Sequence, residues 1–381
     1  MGAGSGRITV FSGQNMERKI RVLHLIDSFD LGGGQTALFQ FLDWSDRSKH
    51  ELVLAALHGN SGSVFMPRAK ALGCPVLCLS PFRWLPIYCL TLPRLIASGH
   101  FDVVHCHLFV SNWTGKILAK FFGVPVIVSH DQSFDRFRFD WAPVRWWDGL
   151  CNRCADAIFV ISTFIRDNII QRERISAERV YLLKNAVARP SKILRRPRPK
   201  LIGAAGRLVG WKNFSRFLKL AAHLSKLDPD YRFIIAGDGP LAGELRTEAE
   251  QLGLAERMLW PGALPNLDGF FTEIALLVLT SEWEDLPMIV LEAFSFRVPA
   301  AIVSNNSERG RLTKEALLLV PEAGEQEWAE AVHALLDSSD RIEEMCSAAE
   351  RLMEEEFSPQ RQMRRIEAVY EEVLRKKGLW G

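Results

Sequence analysis

The chain alternates short, nearly unbroken apolar runs with longer stretches in which apolar residues recur every three or four positions. The runs Arg21–Ile26, Glu51–Ala56, Pro75–Cys78, Val103–His105, Val124–Ser129 and Ala157–Ile161 read as strands. Thr36–Leu42 and Trp113–Phe122, lying between such runs, read as helices. Strands apolar on both faces and separated by helices predict a parallel, doubly wound sheet. Arg189–Lys200 breaks the alternation with three prolines among several cations, the composition of a stiff extended linker. The pattern then restarts at Leu201–Ala205 and continues through Tyr231–Ala236, Met258–Trp260, Ile274–Leu279 and Ala300–Val303. Two α/β sheets in series leave a cleft between them, and ligands of such sheets sit beyond the carboxyl ends of the strands. The division this predicts is a flexible extension over 1–19, a first domain over 20–188, the linker over 189–200, a second domain over 201–357 and a charged terminal helix over 358–381.

A chain of 381 residues, 48% hydrophobic and 24% charged, has the balance of a globular protein of two domains. No apolar run approaches the roughly 20 residues of a membrane-spanning helix. The opening Met1–Gly6 lacks the apolar segment of a secretory signal, and Met16 is an alternative start. Seven scattered cysteines fit reduced thiols in a cytoplasmic protein, and Cys151 and Cys154 have no second pair to complete a metal site. The net charge of +2 conceals an asymmetry. Residues 1–200 carry 27 Lys and Arg against 15 Asp and Glu, and the remainder carries 20 against 30. A basic first half predicts an anionic partner such as a membrane surface or a lipid phosphate. No nucleic-acid motif accompanies the charge, so nucleic acid is not expected.

Candidate chemistry gathers at strand ends. Glu284 follows the run ending at Leu279, and Glu292 lies in a helix opened by Pro287. Glu292 shares its helical face with Met288, Ile289, Ser295 and Phe296, so a carboxylate sits among mostly apolar neighbours. Such a charge needs donors: sugar hydroxyls would serve, as would backbone amides or an arginine. Gly32-Gly33-Gly34 stands before a helix where backbone N–H groups can meet an anion. Gly206-Arg207, with Lys212-Asn213 after it, follows the strand Leu201–Ala205. Arg207 and Lys212 are placed to grip a diphosphate or, equally, to be solvated surface cations. No GxxxxGK[ST] occurs, which excludes a P-loop. Asp228-Pro-Asp230 precedes its strand and reads as a turn. Among the histidines, His24 and His105 read as ordinary strand residues, whereas His130 at a strand exit is aimed at the cleft.

These elements in order resemble the family 4 glycosyltransferases, retaining enzymes of the GT-B fold. The resemblance rests on Glu284-x7-Glu292, Gly206-Arg-Leu with Lys212-Asn213, Gly237-Asp-Gly-Pro240, Gly32-Gly33-Gly34, His105-x-His107, His130-Asp131 and Lys184-Asn185-Ala-Val187. It covers roughly residues 20–375. It implies a nucleotide-diphosphate sugar donor held mainly by the second domain, and a last helix that crosses back to the first. By position, Arg207 and Lys212 would bind the diphosphate and Glu292 the ribose hydroxyls. Glu284 would contact the donor sugar, helped by backbone amides around Leu286 to Met288. Gly33 and Gly34 would approach the phosphates from the other domain, and His130 would face the sugar and transition state. No cofactor or divalent metal would be needed, because the cations and helix dipoles take the leaving-group charge. Retention would proceed by front-face departure of the nucleotide diphosphate, with no protein nucleophile.

Two positions depart from the family pattern. Gln35 stands where an acid usually follows the glycines, and Ser304–Glu308 replaces a Gly-Gly pair before an acid. The acceptor is expected to be a saccharide or a lipid-linked saccharide of surface polysaccharide or lipopolysaccharide synthesis. Phe134–Trp147, aromatic and basic, either holds a peripheral enzyme at the inner membrane face or packs beneath a loop, and Phe82–Leu90 poses the same choice. The competing readings are a GT-B nucleotide-sugar epimerase and a non-catalytic sugar- or nucleotide-binding relative.

Overall fold

The computed structural model describes residues 18–30, 32–82, 87–131, 141–190, 193, 195–264, 266–282, 287–303, 315–320 and 324–380. Two parallel sheets form its frame. The first orders its strands β3-β2-β1-β4-β5-β6-β7. These are Ile20–Ser28 (β1), His50–His58 (β2), Val76–Cys78 (β3), Val103–His107 (β4), Val126–Asp131 (β5), Ala157–Val160 (β6) and Val180–Leu182 (β7). The second orders Leu201–Ala205 (β8), Arg232–Ala236 (β9), Met258–Gly262 (β10), Leu276–Leu279 (β11), Ala300–Val303 (β12) and Leu317–Val320 (β13) as β10-β9-β8-β11-β12-β13. In each sheet the chain steps outward over three strands and then returns to the other side of the first, so β1/β4 and β8/β11 are the switch points at which such sheets bind ligands.

The unbroken apolar strands follow from burial on both faces. On one face of the first sheet lie Gly33–Leu42 (α1) and Met66–Ala71 (α2). On the other lie Tyr88–Gly99 (α3), Phe109–Phe121 (α4), Ala142–Cys154 (α5) and Thr163–Arg172 (α6). The second sheet is sandwiched by Phe214–Leu227 (α7), Ala242–Gln251 (α8) and Glu325–Leu336 (α11) on one face. Asp268–Glu273 (α9), Met288–Ser295 (α10) and Ser339–Glu356 (α12) cover the other.

The last helix, Pro359–Lys376 (α13), does not pack on the domain that precedes it. Its stripe of Met363, Ile366, Val369, Tyr370, Val373 and Leu374 joins the core between the first sheet and α1. Glu367 is buried with it and accepts from Ser45 Oγ at 2.8 Å and the Asp46 amide at 3.0 Å. The two segments that pass between domains run side by side, tied by Val187 N–H to the Phe357 carbonyl at 3.2 Å. The linker is docked on the second domain. Arg196 and Arg198 donate backbone N–H groups to the Thr272 and Glu273 carbonyls, and Arg189 pairs with Glu350 and Glu354. The Arg195 guanidinium bonds the carbonyls of Ile274 and Arg297.

Three elements escape the periodicity. β7 is only three residues long, and the Leu317–Val320 run of β13 is too short to tell strand from helix. α5 begins inside the aromatic stretch 134–147 and buries polar rather than apolar residues, so its periodicity is inverted. Residues 132–140, the earlier part of that stretch, lie outside the described residues.

Candidate functional site

At the second switch point, the loop leaving β8 is laced to its neighbours by main-chain bonds. Gly206 N–H bonds the Ala236 carbonyl at 3.0 Å, and Leu208 N–H bonds the Asp238 carbonyl at 2.9 Å. Gly206 and Gly237 have φ of +147° and +159°, and a Cβ on Gly237 would collide with the Gly206 carbonyl oxygen. The glycines thus let two strand exits touch backbone to backbone. Arg207 is exposed on this loop. Lys212 ends a 3-10 turn, Gly210–Lys212, with its ammonium 4.6 Å from the centre of the Trp211 ring. Asn213 follows in the left-handed conformation and caps α7 by accepting from Arg216 N–H.

The same loop is tied across to the exit of β11. Thr280 Oγ1 donates to the Lys212 carbonyl at 3.1 Å, Glu282 N–H to the Trp211 carbonyl at 3.0 Å, and Asn213 Nδ2 to Glu282 Oε1 at 3.2 Å. Residues 211–213, Lys212 among them, are therefore held against the exit of β11, while the neighbours of Arg207 are held against the exit of β9. Glu284 and Leu286 lie outside the described residues. Pro287 caps α10 rather than occupying its first turn, and Met288 is the first helical residue. Met288 is half-buried against the cores of both domains, so the start of α10 lies at their junction. Glu292 stands one turn further on, and burial pushes its carboxyl up to about 7, reinforced by Asp268.

In the first domain Gly33 and Gly34 are the opening residues of α1. Neither α1 nor α10 has a side-chain cap or an acid in its first turn, which leaves N–H groups at each start for an anion. A Cβ on Gly33 would meet nothing within 4 Å, so protein packing does not demand glycine there. Gln35 is buried, and its Nε2 donates to the Ser28 carbonyl at 3.3 Å. It braces the loop rather than presenting a charge.

His130 corrects the sequence expectation. It is the penultimate residue of β5 and fully buried, with its ring stacked 5.7 Å from Phe41, so it does not open onto the cleft. The cause is register. His24 pairs with His105, and His107 with His130, across β1, β4 and β5. The period of two then sets all four on one face, beneath α1 and α13. His24 Nδ1 and His107 Nε2 are 3.1 Å apart, and His105 Nδ1 meets Tyr370 Oη at 2.5 Å. Burial holds His24 and His130 down to about 3 and His105 and His107 well below the ordinary imidazole range, so all four are neutral. Ring nitrogens of His24, His105 and His107 lie within 4.8 Å of one another, a spacing suited to a small cation, but the group is sealed by Tyr370 and Phe41 and contains no carboxylate.

Sequence reasoning overlooked the switch point of the first sheet. Asp27, at the end of β1, accepts from the amides of Val110 and Ser111 at 3.1 and 2.7 Å and so closes the start of α4. Leu108 before it has φ +68° and ψ −156°, a conformation costly for a side-chain-bearing residue. Nothing about a leucine in sequence announces this.

Two family models match the chain in tandem. Glycosyltransferase Family 4 matches residues 31–189, and glycosyl transferases group 1 matches 188–352. EpsF of Bacillus subtilis (strain 168), which bears a glycosyltransferase name, is 25% identical over 309 residues, covering 76% of this chain and 80% of its own. The Escherichia coli UDP-Gal:alpha-D-GlcNAc-diphosphoundecaprenol alpha-1,3-galactosyltransferase is 26% identical over 248 residues, 59% of this chain and 63% of its own. Among solved structures, Anabaena HepE in complex with UDP and glucose superposes with a TM-score of 0.76 over 92% of this chain and 99% of that one, at 17% identity. That likeness establishes the GT-B fold.

Proposed function

We propose that this chain, which belongs to the family 4 glycosyltransferases, moves a hexose from a uridine diphosphate-sugar to a saccharide or lipid-linked acceptor with retention of anomeric configuration. The pathway class is surface polysaccharide or lipopolysaccharide synthesis, in line with the acceptor named for the Escherichia coli relative and the nucleotide in HepE. The observation that carries the reading is the β8 loop, which bears Arg207 and Lys212 and is bonded to the exits of β9 and β11.

In this reading Arg207 grips the diphosphate as a fork and Lys212 as a point charge. The open N-termini of α1, with Gly33 and Gly34, and of α10 add backbone donors from either side of the cleft. Glu292 accepts from the ribose hydroxyls, which supply the donors its desolvated carboxylate needs. Glu284, Leu286 and Met288 belong to the segment assigned to the donor sugar. The sugar–phosphate bond breaks as the acceptor oxygen attacks from the same face, and the acceptor proton passes to the departing phosphate oxygen. The two cations and the helix dipoles stabilise that departure without a metal or cofactor. With His130 buried, its part is to seat the end of β5 rather than to touch the sugar.

The test is thermal stabilisation by UDP, GDP, ADP and CMP. Selective stabilisation by UDP, with affinity weakened by about 1–3 kcal/mol in Arg207→Ala and in Lys212→Ala, is expected for hydrogen bonds to charge. Unchanged UDP affinity in both variants would remove the diphosphate assignment.

A further inference from the structure

Trp211 stands beside Lys212 in the turn Gly210–Lys212 and is 48% exposed. Among the described residues, its indole takes no part in either apolar core of the second domain. Its face meets a cation instead, with Lys212 Nζ 4.6 Å from the ring centre. Hydrogen bonds to the exit of β11 fix the main chain on both sides of this contact. The Trp211 carbonyl accepts from Glu282 N–H at 3.0 Å, and the Lys212 carbonyl from Thr280 Oγ1 at 3.1 Å. The aliphatic stem of Lys212 is placed as well. It runs over Gly206, where a Cβ would stand 3.7 Å from Lys212 Cε. The stem thus crosses the residue before Arg207 and ends on the indole.

From this we infer that Trp211 is a positioning residue of the donor site, whose ring holds the Lys212 ammonium where the diphosphate meets it. The inference rests on the proposed function, which makes Lys212 a diphosphate ligand. A lysine on a loop carries its charge on a flexible four-carbon stem and loses that freedom when it grips an anion. An ammonium seated on an aromatic face has lost part of it beforehand, so less remains to be lost on binding. A carboxylate would order an ammonium too, as Glu356 does for Lys184 and Asp228 for Lys200, but it would cancel the charge. An indole face orders the charge without cancelling it, and the N–H groups turned away from the ring can donate to phosphate oxygens. This also accounts for a large apolar side chain standing in solvent at the carboxyl edge of the second sheet, where no core needs it. An indole that touched the nucleotide itself would act without Lys212, and that difference is what the experiment reads.

The experiment is calorimetric titration with UDP of the wild type, Trp211→Phe, Trp211→Leu, Lys212→Ala and the double variant Trp211→Leu/Lys212→Ala, with urea midpoints measured in the absence of UDP. Trp211→Leu should bind UDP about three- to fivefold more weakly than the wild type, the range of a cation–aromatic contact at an exposed site. Trp211→Phe keeps an aromatic face and should stay within about twofold of the wild type. In the Lys212→Ala background the leucine should cost nothing further, because the ammonium it no longer seats is gone. Urea midpoints of the two Trp211 variants should match the wild type. A Trp211→Leu protein that binds UDP like the wild type, while Lys212→Ala binds weakly, overturns the inference and leaves the donor reading standing. A leucine penalty that persists undiminished without Lys212 assigns the indole to the nucleotide directly and overturns it too. So does a phenylalanine as damaging as leucine, or a loss of affinity that follows a lowered urea midpoint, since either makes Trp211 a packing residue. Unchanged UDP affinity in both Lys212→Ala and Arg207→Ala would instead reject the diphosphate assignment itself, and this inference with it.

Discussion

Tyr370 Oη lies 2.5 Å from His105 Nδ1, although 265 residues separate them in the chain. Burial raises the phenol well above its ordinary pKa and keeps it protonated, so Tyr370 donates. His105 therefore accepts at Nδ1 and carries its own proton on Nε2. The contact is the inner anchor of α13, which returns from the second domain to the first sheet. Lys377 forms an outer one, its ammonium 2.6 Å from Asp156.

Removing that hydroxyl leaves a buried acceptor without its donor. Tyr370→Phe should lower the free energy of unfolding by about 1–3 kcal/mol at neutral pH, the cost of one unsatisfied buried group. Urea denaturation measures it directly. An unchanged midpoint would mean that α13 is held by its apolar stripe alone.

The four neutral histidines make stability depend on pH. Each is deprotonated in the fold down to far below the ordinary value of about 6.5 at which it titrates once unfolded. Between those limits the unfolded chain binds the extra protons, so their contribution is complete above about pH 6.5 and is lost as pH falls toward 3. Urea midpoints should drop steadily from pH 7 to pH 5, before most carboxylates titrate, and His24→Phe should shallow that drop. A flat profile over this range would show the cluster charged or hydrated in solution.

Glu292 works in the opposite sense. Its folded carboxyl titrates near 7, above the ordinary 4.5, so the folded protein holds the extra proton and loses stability as pH rises through that window. Glu292→Gln should accordingly stabilise the unliganded protein by about 1–3 kcal/mol at pH 8 and have little effect below pH 4.5. The same substitution should weaken UDP binding, since an amide is a poorer partner for two ribose hydroxyls. A variant that is no more stable at pH 8 would mean the carboxylate already has its donors.

Apolar runs revealed the strands because a parallel sheet buried on both faces cannot hide its composition; Leu201–Ala205 and Ala300–Val303 were legible to the residue. The glycines and cations of the β8 loop were legible because backbone approach and anion binding restrict residue choice. Burial was not. His130 and Glu292 look alike in sequence, each a polar residue among apolar ones, yet the pleat turns His130 inward against Phe41, fully buried, while the residue Glu292 is only partly buried. Leu108 and Asp27 were invisible, because a strained dihedral and a cap supplied across 83 residues leave no local signature.

Gly237 offers the sharpest test of the β8 loop. A methyl group there would run into the Gly206 carbonyl oxygen, and φ of +159° already disfavours any side chain. To accommodate alanine the exits of β8 and β9 must part, and Arg207 moves with them. Gly237→Ala should weaken UDP binding about tenfold and cost about 1–3 kcal/mol of stability while unfolding stays cooperative. Gly243 supplies the contrast: it lies in α8, and a Cβ there meets nothing within 4 Å. Gly243→Ala should stabilise by about 0.5–1 kcal/mol through reduced backbone entropy and leave UDP affinity unchanged. Equal effects of the two alanines on UDP affinity would show that the touching backbones of Gly206 and Gly237 do not hold the donor site.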